Sequence, residues 1–200
     1  MNKLFVPIVF ILALLCFAVF GKICTALDKP HIKADYSTVI DVDKFSHTLV
    51  LSQDGQIIAT YDIIIGKPET PTPSFETTFN TIDINPTWHL TAKEIREMKK
   101  YPELKKKYGV IFTITGAYSP PSEKNPLGKA RLNLQYQPIA IKIHGTSEPE
   151  LFKTKSRHYS SGCIRVLEIQ DLVQHLTSQP VDWTRVYSIK LDHPVHVIVH

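Results

Sequence analysis

The sequence is poor in cysteine, in glycine and in clustered charge, and each shortage narrows what the chain can be. It has 3 cysteines in 200 residues, and two of them, Cys16 and Cys24, lie near the start. That excludes a disulfide scaffold. Neither of these two follows small residues, which argues against a lipoprotein signal. Only 8 glycines occur and no low-complexity run, while 43% of residues are hydrophobic and 21% charged, the balance of a folded globular protein rather than a disordered one. No internal repeat is visible. Lys3 and Lys22 carry two of the formal charges, so the net +4 falls to +2 for the rest of the chain. With basic residues dispersed and no arginine-rich or aromatic-interleaved patch, a nucleic-acid partner is not expected. His193, His196 and His200 lack carboxylate or cysteine neighbours at ligand spacing, so a metal site is not expected.

One long apolar run is present: "LFVPIVFILALLCFAVF", Leu4 to Phe20, uncharged and closed by Gly21 and Lys22. Its 17 residues fall between a signal-peptide core and a membrane-spanning helix. Residues 1–26 are therefore expected to be a signal peptide, cleaved near "ICTA", or an N-terminal membrane anchor. Lys3 ahead of the run favours a cytoplasmic N-terminus. Either way the remainder, 27–200, is expected in the periplasm, with membrane contact only through this segment. Once residues 1–26 are set aside, Cys163 is the one thiol left. Such a thiol is either buried and inert or kept for its reactivity.

The body reads as mainly β. Strand-like runs occur at Val39 to Val42, Thr48 to Leu51 and Ile57 to Ile65, with Asp54-Gly55 as a hairpin signal between the last two. A Pro-rich loop feeds a further run, Thr77 to Ile84. The period then changes: Thr91 and Glu94 form a capping box, Ile95, Met98 and Leu104 lie at helical spacing, and Pro102 interrupts. This predicts one helix or a kinked pair inserted between strands, with its lysines on a solvated face. Alternation returns in "KARLNLQYQPIAIKIHG", which places His144 with Lys142 away from the isoleucine face. "EIQDLVQHLTSQ" predicts a short amphipathic helix and "HPVHVIVH" a last strand. One domain with mostly antiparallel strands is expected.

A thiol acts as a nucleophile only as thiolate, so it needs a base or a positive field beside it. In "RHYSSGCIRV", Cys163 follows a Ser-Ser-Gly turn and precedes Arg165, which is a poor setting for a core residue. His144 lies 19 residues upstream and His158 five. Gly162 can adopt dihedrals closed to other residues, consecutive N–H groups in the turn can form an oxyanion hole, and Ser160 and Ser161 can add hydroxyl donors. Arg165 could equally belong to a surface ion pair, and His158 reads as loop.

These residues resemble the L,D-transpeptidases with a YkuD-type catalytic domain. "IHGT", with His144, and "SSGCIR", with Cys163, reproduce the ends of that family's signature, with Ser161 in place of its second histidine. The stretch "VIDVDKFSHTLVLSQDGQIIATYDIIIGKPETPTP" and "NPLG", Asn125 to Gly128, also resemble the family. "NPTWHL" and "HGTSEPELF" are similar to the gram-negative branch that makes 3,3 cross-links. The resemblance implies a YkuD-like β-sandwich or barrel with a helical capping insertion at about 86–124. It implies Cys163 as nucleophile, His144 as sole base, and the Gly145 carbonyl as the group that fixes the imidazole tautomer. Gly162 and Cys163 N–H groups would hold the oxyanion, and Arg165, Ser160, Ser161 and Thr146 would bind substrate. The implied substrates are peptidoglycan stem peptides. A tetrapeptide acyl group would pass through a thioester to a diaminopimelate amine, to water, or to a lysine of an outer-membrane protein. No cofactor or metal is implied, and carbapenems would acylate Cys163. Ser-x-x-Lys and Lys-Thr-Gly motifs in a setting for serine chemistry are lacking. A wall-binding module with a structural or redox-sensing thiol is the reading of another class, and the base argues against it.

Overall fold

Period-two alternation sets the first strands. Ile40 and Val42 point inward from β1 (Thr38–Asp43), and Leu49 and Leu51 from β2 (Thr48–Gln53). Asp54 and Gly55 have φ of 50° and 77°, the left-handed pair that a tight hairpin turn needs, and they join β2 antiparallel to β3 (Gln56–Gly66). Along β3 the pattern changes: Ile57 and Ile58 are exposed, while Ile63, Ile64 and Ile65 are all buried because that end is covered on both faces. In the computed structural model, residues 37–135 and 141–200 are described, all within the unit Tyr36–His200. The expected N-terminal segment, and Ile139 and Ala140 of the alternating run, lie outside the described residues.

The sheet closes on itself. β4 (Phe75–Ile84) pairs antiparallel with β8 (Ala130–Leu132) on one side and with β12 (Tyr187–Val199) on the other. β12 pairs parallel with β1, and β8 pairs antiparallel with β9 (Ile143–His144). β9 pairs parallel with β11 (Ile164–Val166), which returns antiparallel to β3. Because β3 also pairs with β2, the ring is complete, and β10 (His158–Ser160) attaches outside it, parallel to β3. Closure removes free edges from the ring. The register of β12 shifts between Lys190 and Val195, which accommodates Pro194 within a paired strand. Its first half was not apparent from sequence, which placed the last strand at "HPVHVIVH". Ile40, Leu49, Phe79, Ile82, Ile143 and Ile164 fill the interior, and the last helix, α3 (Ile169–Leu176), adds Ile169, Leu172 and Val173.

The insertion is a small α/β unit rather than purely helical. Thr91 caps α1 (Ala92–Lys100) with the expected capping box, and Pro102 opens α2 (Pro102–Lys107) at a position where its missing N–H costs nothing. Around them β5 (Trp88–His89), β6 (Ile111–Phe112) and β7 (Ala117–Ser119) form a three-stranded antiparallel sheet. Strands of two or three residues are too short for alternation to register in sequence. Trp88, Met98, Val110, Ala117 and Leu127 form the unit's own core.

Candidate active site

Strand pairing explains how residues 19 apart come together. In the parallel β9–β11 ladder His144 is level with Arg165 and Ile143 with Ile164, and the Ile164 N–H donates to the Lys142 carbonyl at 2.8 Å. Cys163, one residue before β11, therefore lies beside Lys142, two residues from His144 along the neighbouring segment. Cys163 and His144 both line a cleft of about 240 Å³ with Lys142, Tyr159, Ser160, Ser161 and Arg165. The insertion supplies the facing wall through Trp88, Glu94, Glu97, Met98, Leu104 and Tyr108. A larger groove, about 410 Å³ between β12 and the loop at Gln179 and Pro180, contains no thiol. Among the described residues no three His, Cys, Asp or Glu side chains group as a metal site.

His144 is buried, and its Nδ1 lies 2.7 Å from the Gly145 carbonyl oxygen. A carbonyl can only accept, so Nδ1 carries the proton and Nε2 presents a lone pair. Burial is the main force holding the imidazole pKa down to about 3; the cations of Arg165, Lys142 and Arg131 act in the same direction, and the Gly145 carbonyl opposes them. The His144 imidazole is neutral at ordinary pH. Burial pushes the Cys163 thiol above its ordinary value, against the pull of the Lys142 backbone N–H and the Lys142 and Arg165 charges. The resting pair is thus thiol and neutral imidazole.

The Ser-Ser-Gly turn is braced from within. Ser160, 2% exposed, donates its hydroxyl to the Cys163 carbonyl at 2.5 Å and accepts the Gly162 N–H at 3.0 Å. Both bonds occupy it, so Ser160 shapes the turn instead of offering a hydroxyl to substrate. The Gly162 N–H, expected in the oxyanion hole, is committed to Ser160, whereas the Cys163 N–H has no hydrogen-bond partner among the described residues. Gly162 has φ of 111°, a dihedral that favours glycine, and a Cβ there would press on the movable Ile141 Cδ1 at 3.0 Å. Thr72, buried and not anticipated, donates to the Gly162 carbonyl at 2.8 Å and accepts the Gly66 N–H at 2.9 Å. Ser161 is exposed at the cleft. Thr146 does not line it: its hydroxyl accepts the Glu148 N–H at 2.9 Å, closing the turn after the base.

"NPLG" flanks the cleft, which Pro126 and Leu127 line, and its other two residues brace the surrounding backbone. Asn125, 1% exposed, donates to the carbonyls of Pro86, Ser119 and Pro120 and accepts the Leu127 N–H, which ties the insertion to the chain leading into β8. Gly128, with φ of 63°, touches the backbone after the base so closely that a Cβ would lie 2.4 Å from the Thr146 nitrogen. Arg165 reaches the cleft wall but is paired, Nη1 to Glu148 Oε2 at 2.9 Å, and Lys107 holds the other carboxylate oxygen. Sequence reasoning missed Glu148 and Lys107, one within an acidic stretch and the other in a lysine run, since no spacing links them.

The family model described as YkuD, the L,D-transpeptidase catalytic domain, matches residues 37–190. A Haemophilus influenzae protein named "Putative L,D-transpeptidase" is 25% identical over 188 residues, covering 82% of this chain and 38% of that protein. The chain thus spans well under half the length of that relative. Among solved structures, the catalytic domain of the E. faecium L,D-transpeptidase is 21% identical, with 80% of this chain and 96% of that one covered and a TM-score of 0.46. An L,D-transpeptidase from Mycobacterium smegmatis is 14% identical, with 81% and 58% covered and a TM-score of 0.45. The matched span contains the cleft with His144 and Cys163 and the insertion beside it, and by that match the chain belongs to the YkuD family of L,D-transpeptidase catalytic domains.

Proposed function

We propose that the protein is a cysteine-dependent peptidoglycan L,D-transpeptidase of the periplasm that forms 3,3 cross-links. The observation carrying this reading is the neutral His144, its Nε2 lone pair left free by the Nδ1 bond to Gly145, in the same cleft as the Cys163 thiol. In the first step the thiol proton passes to His144 Nε2 as sulfur attacks the carbonyl of the L-centre before the terminal D-residue of a tetrapeptide stem. The tetrahedral oxyanion takes a hydrogen bond from the Cys163 N–H, a contribution of about 3 kcal/mol for such a donor. Collapse breaks the peptide bond, His144 returns the proton to the departing amine, and a thioester remains. A diaminopimelate amine then attacks that thioester, gives its proton to His144, and expels the Cys163 sulfur, which is reprotonated.

The walls of the cleft suit a zwitterionic peptide. Lys142 and Arg165 stand on the barrel side, Glu94 and Glu97 on the insertion side. Cations near the thiol would favour thiolate as it forms, and the acidic side would favour the ammonium of the acceptor. The test uses the full chain in detergent and its Cys163→Ala variant with disaccharide-tetrapeptides, products followed by mass spectrometry. A cross-linked dimer lacking one D-residue, absent with the variant, is expected. Tripeptide alone would redirect the reading to hydrolysis or to a protein-lysine acceptor, and no Cys163-dependent product would overturn it.

A further inference from the structure

One group beside the cleft has no role so far, the buried carboxylate of Glu148. Its side chain is 10% exposed, and its two oxygens are divided between two cations from distant parts of the chain. Arg165, two residues after the thiol and 13% exposed, takes Oε2, and Lys107, the last residue of α2 in the insertion, takes Oε1. Glu148 itself lies four residues after the base, and its N–H is held by Thr146. Lys107 also stands over the ring of Tyr108, 5.1 Å from its centroid, and Tyr108 lines the cleft. One carboxylate therefore joins the nucleophile segment, the base segment and the cap.

Resting on the proposed function, we propose that Glu148 is a positioning residue and Lys107 its latch: together they hold the insertion closed over the cleft and Arg165 against its wall. A buried ion pair adds little net stability against an apolar replacement, but removing one partner leaves a buried charge uncompensated. Such a contact therefore specifies geometry more than it stabilises. Burial works against ionisation of Glu148, yet the Lys107 and Arg165 partners outweigh it and hold its carboxyl below the usual value; the bond to Glu148 raises Lys107 in turn. Both partners thus favour the charged, closed arrangement. Lys107 is the half-exposed member, so opening begins there, while Arg165 and Glu148 remain paired inside.

The test uses the full chain and its Lys107→Met, Lys107→Arg, Glu148→Gln and Lys107→Met/Glu148→Gln variants. Backbone hydrogen exchange over residues 102–112 and steady-state turnover of the stem peptide are measured. Lys107→Met should speed exchange in that segment and raise KM, each on the order of tenfold, with kcat nearly kept, and Lys107→Arg should restore both. Glu148→Gln should show the same exchange and KM changes and a reduced kcat as well, through Arg165. The double variant should exchange no faster than Glu148→Gln alone. Wild-type exchange in Lys107→Met, or additive effects in the double variant, would overturn the latch. Should Glu148→Gln not fold, the Lys107 pair of variants still decides. If the wild type itself has no Cys163-dependent turnover, the functional reading fails while exchange still judges the latch.

Discussion

His144 should make the protein lose stability on acidification well above the pH at which carboxylates titrate. An imidazole with an ordinary pKa of 6.5 is held at about 3 in the folded state, chiefly because burial disfavours its charged form. The folded value is depressed, so as pH falls below 6.5 the unfolded chain binds a proton that the folded chain refuses. Stability is then fully present above pH 6.5 and is lost progressively down to about pH 3. Each pH unit in that window costs about 1.4 kcal/mol, or about 2 kcal/mol between pH 7.5 and pH 5. Against a typical total of about 5–15 kcal/mol, that loss is large enough to shift a urea midpoint clearly. The perturbation is His144→Asn, whose amide nitrogen can replace Nδ1 as the donor to Gly145 while carrying no titratable group. Urea unfolding at pH 7.5, 6 and 5 should show the wild type falling by about 2 kcal/mol more than the variant. His47, which burial also holds low, and the Glu148 and Asp83 carboxylates, held low by their partners, are common to both proteins and cancel in the difference. Parallel stability curves for the two proteins would refute the argument, because they would mean that the imidazole titrates alike in folded and unfolded chains.

Two further outcomes follow from the site. Alkylation of Cys163 by iodoacetamide should keep rising beyond pH 9, since burial raises the thiol above its ordinary value; a rate already flat below pH 7 would instead show a resting thiolate–imidazolium pair. Asn125→Asp should destabilise the fold by about 3 kcal/mol or more, because a carboxylate replaces the donor that faces three carbonyls, and a melting temperature within a degree of wild type would contradict the bracing role.

What could be read in advance and what could not divide by range. The β1–β2–β3 meander, the Thr91 capping box and the Pro102 break each rest on contacts within a few residues, and their periods and turn signals are written in consecutive letters. That Cys163 and His144 would meet in one cleft was also legible, because a Ser-Ser-Gly-Cys turn and a histidine closing an alternating run are chemically out of place as core. The bracing of the site was not, since it depends on side chains turning back on their own backbone and on Thr72 from a distant loop. Ser160 looked like a donor to substrate, yet it turns back on Gly162 and the Cys163 carbonyl, and that local preference only emerges once Gly162 adopts φ of 111°. Thr146 was set beside the substrate by the family resemblance, but it closes a turn. Arg165 lines the cleft, while its partner Glu148 and that residue's second cation, Lys107, lie 17 and 58 positions away. Charge pairs of this kind leave no periodic trace, because a lysine in a run of lysines is indistinguishable from its neighbours until the fold selects one. The fold selects Lys107 because the capping helix ends there, where the chain turns back through Tyr108 toward β6, and the selection converts an otherwise solvated charge into a contact with Glu148, the partner of Arg165.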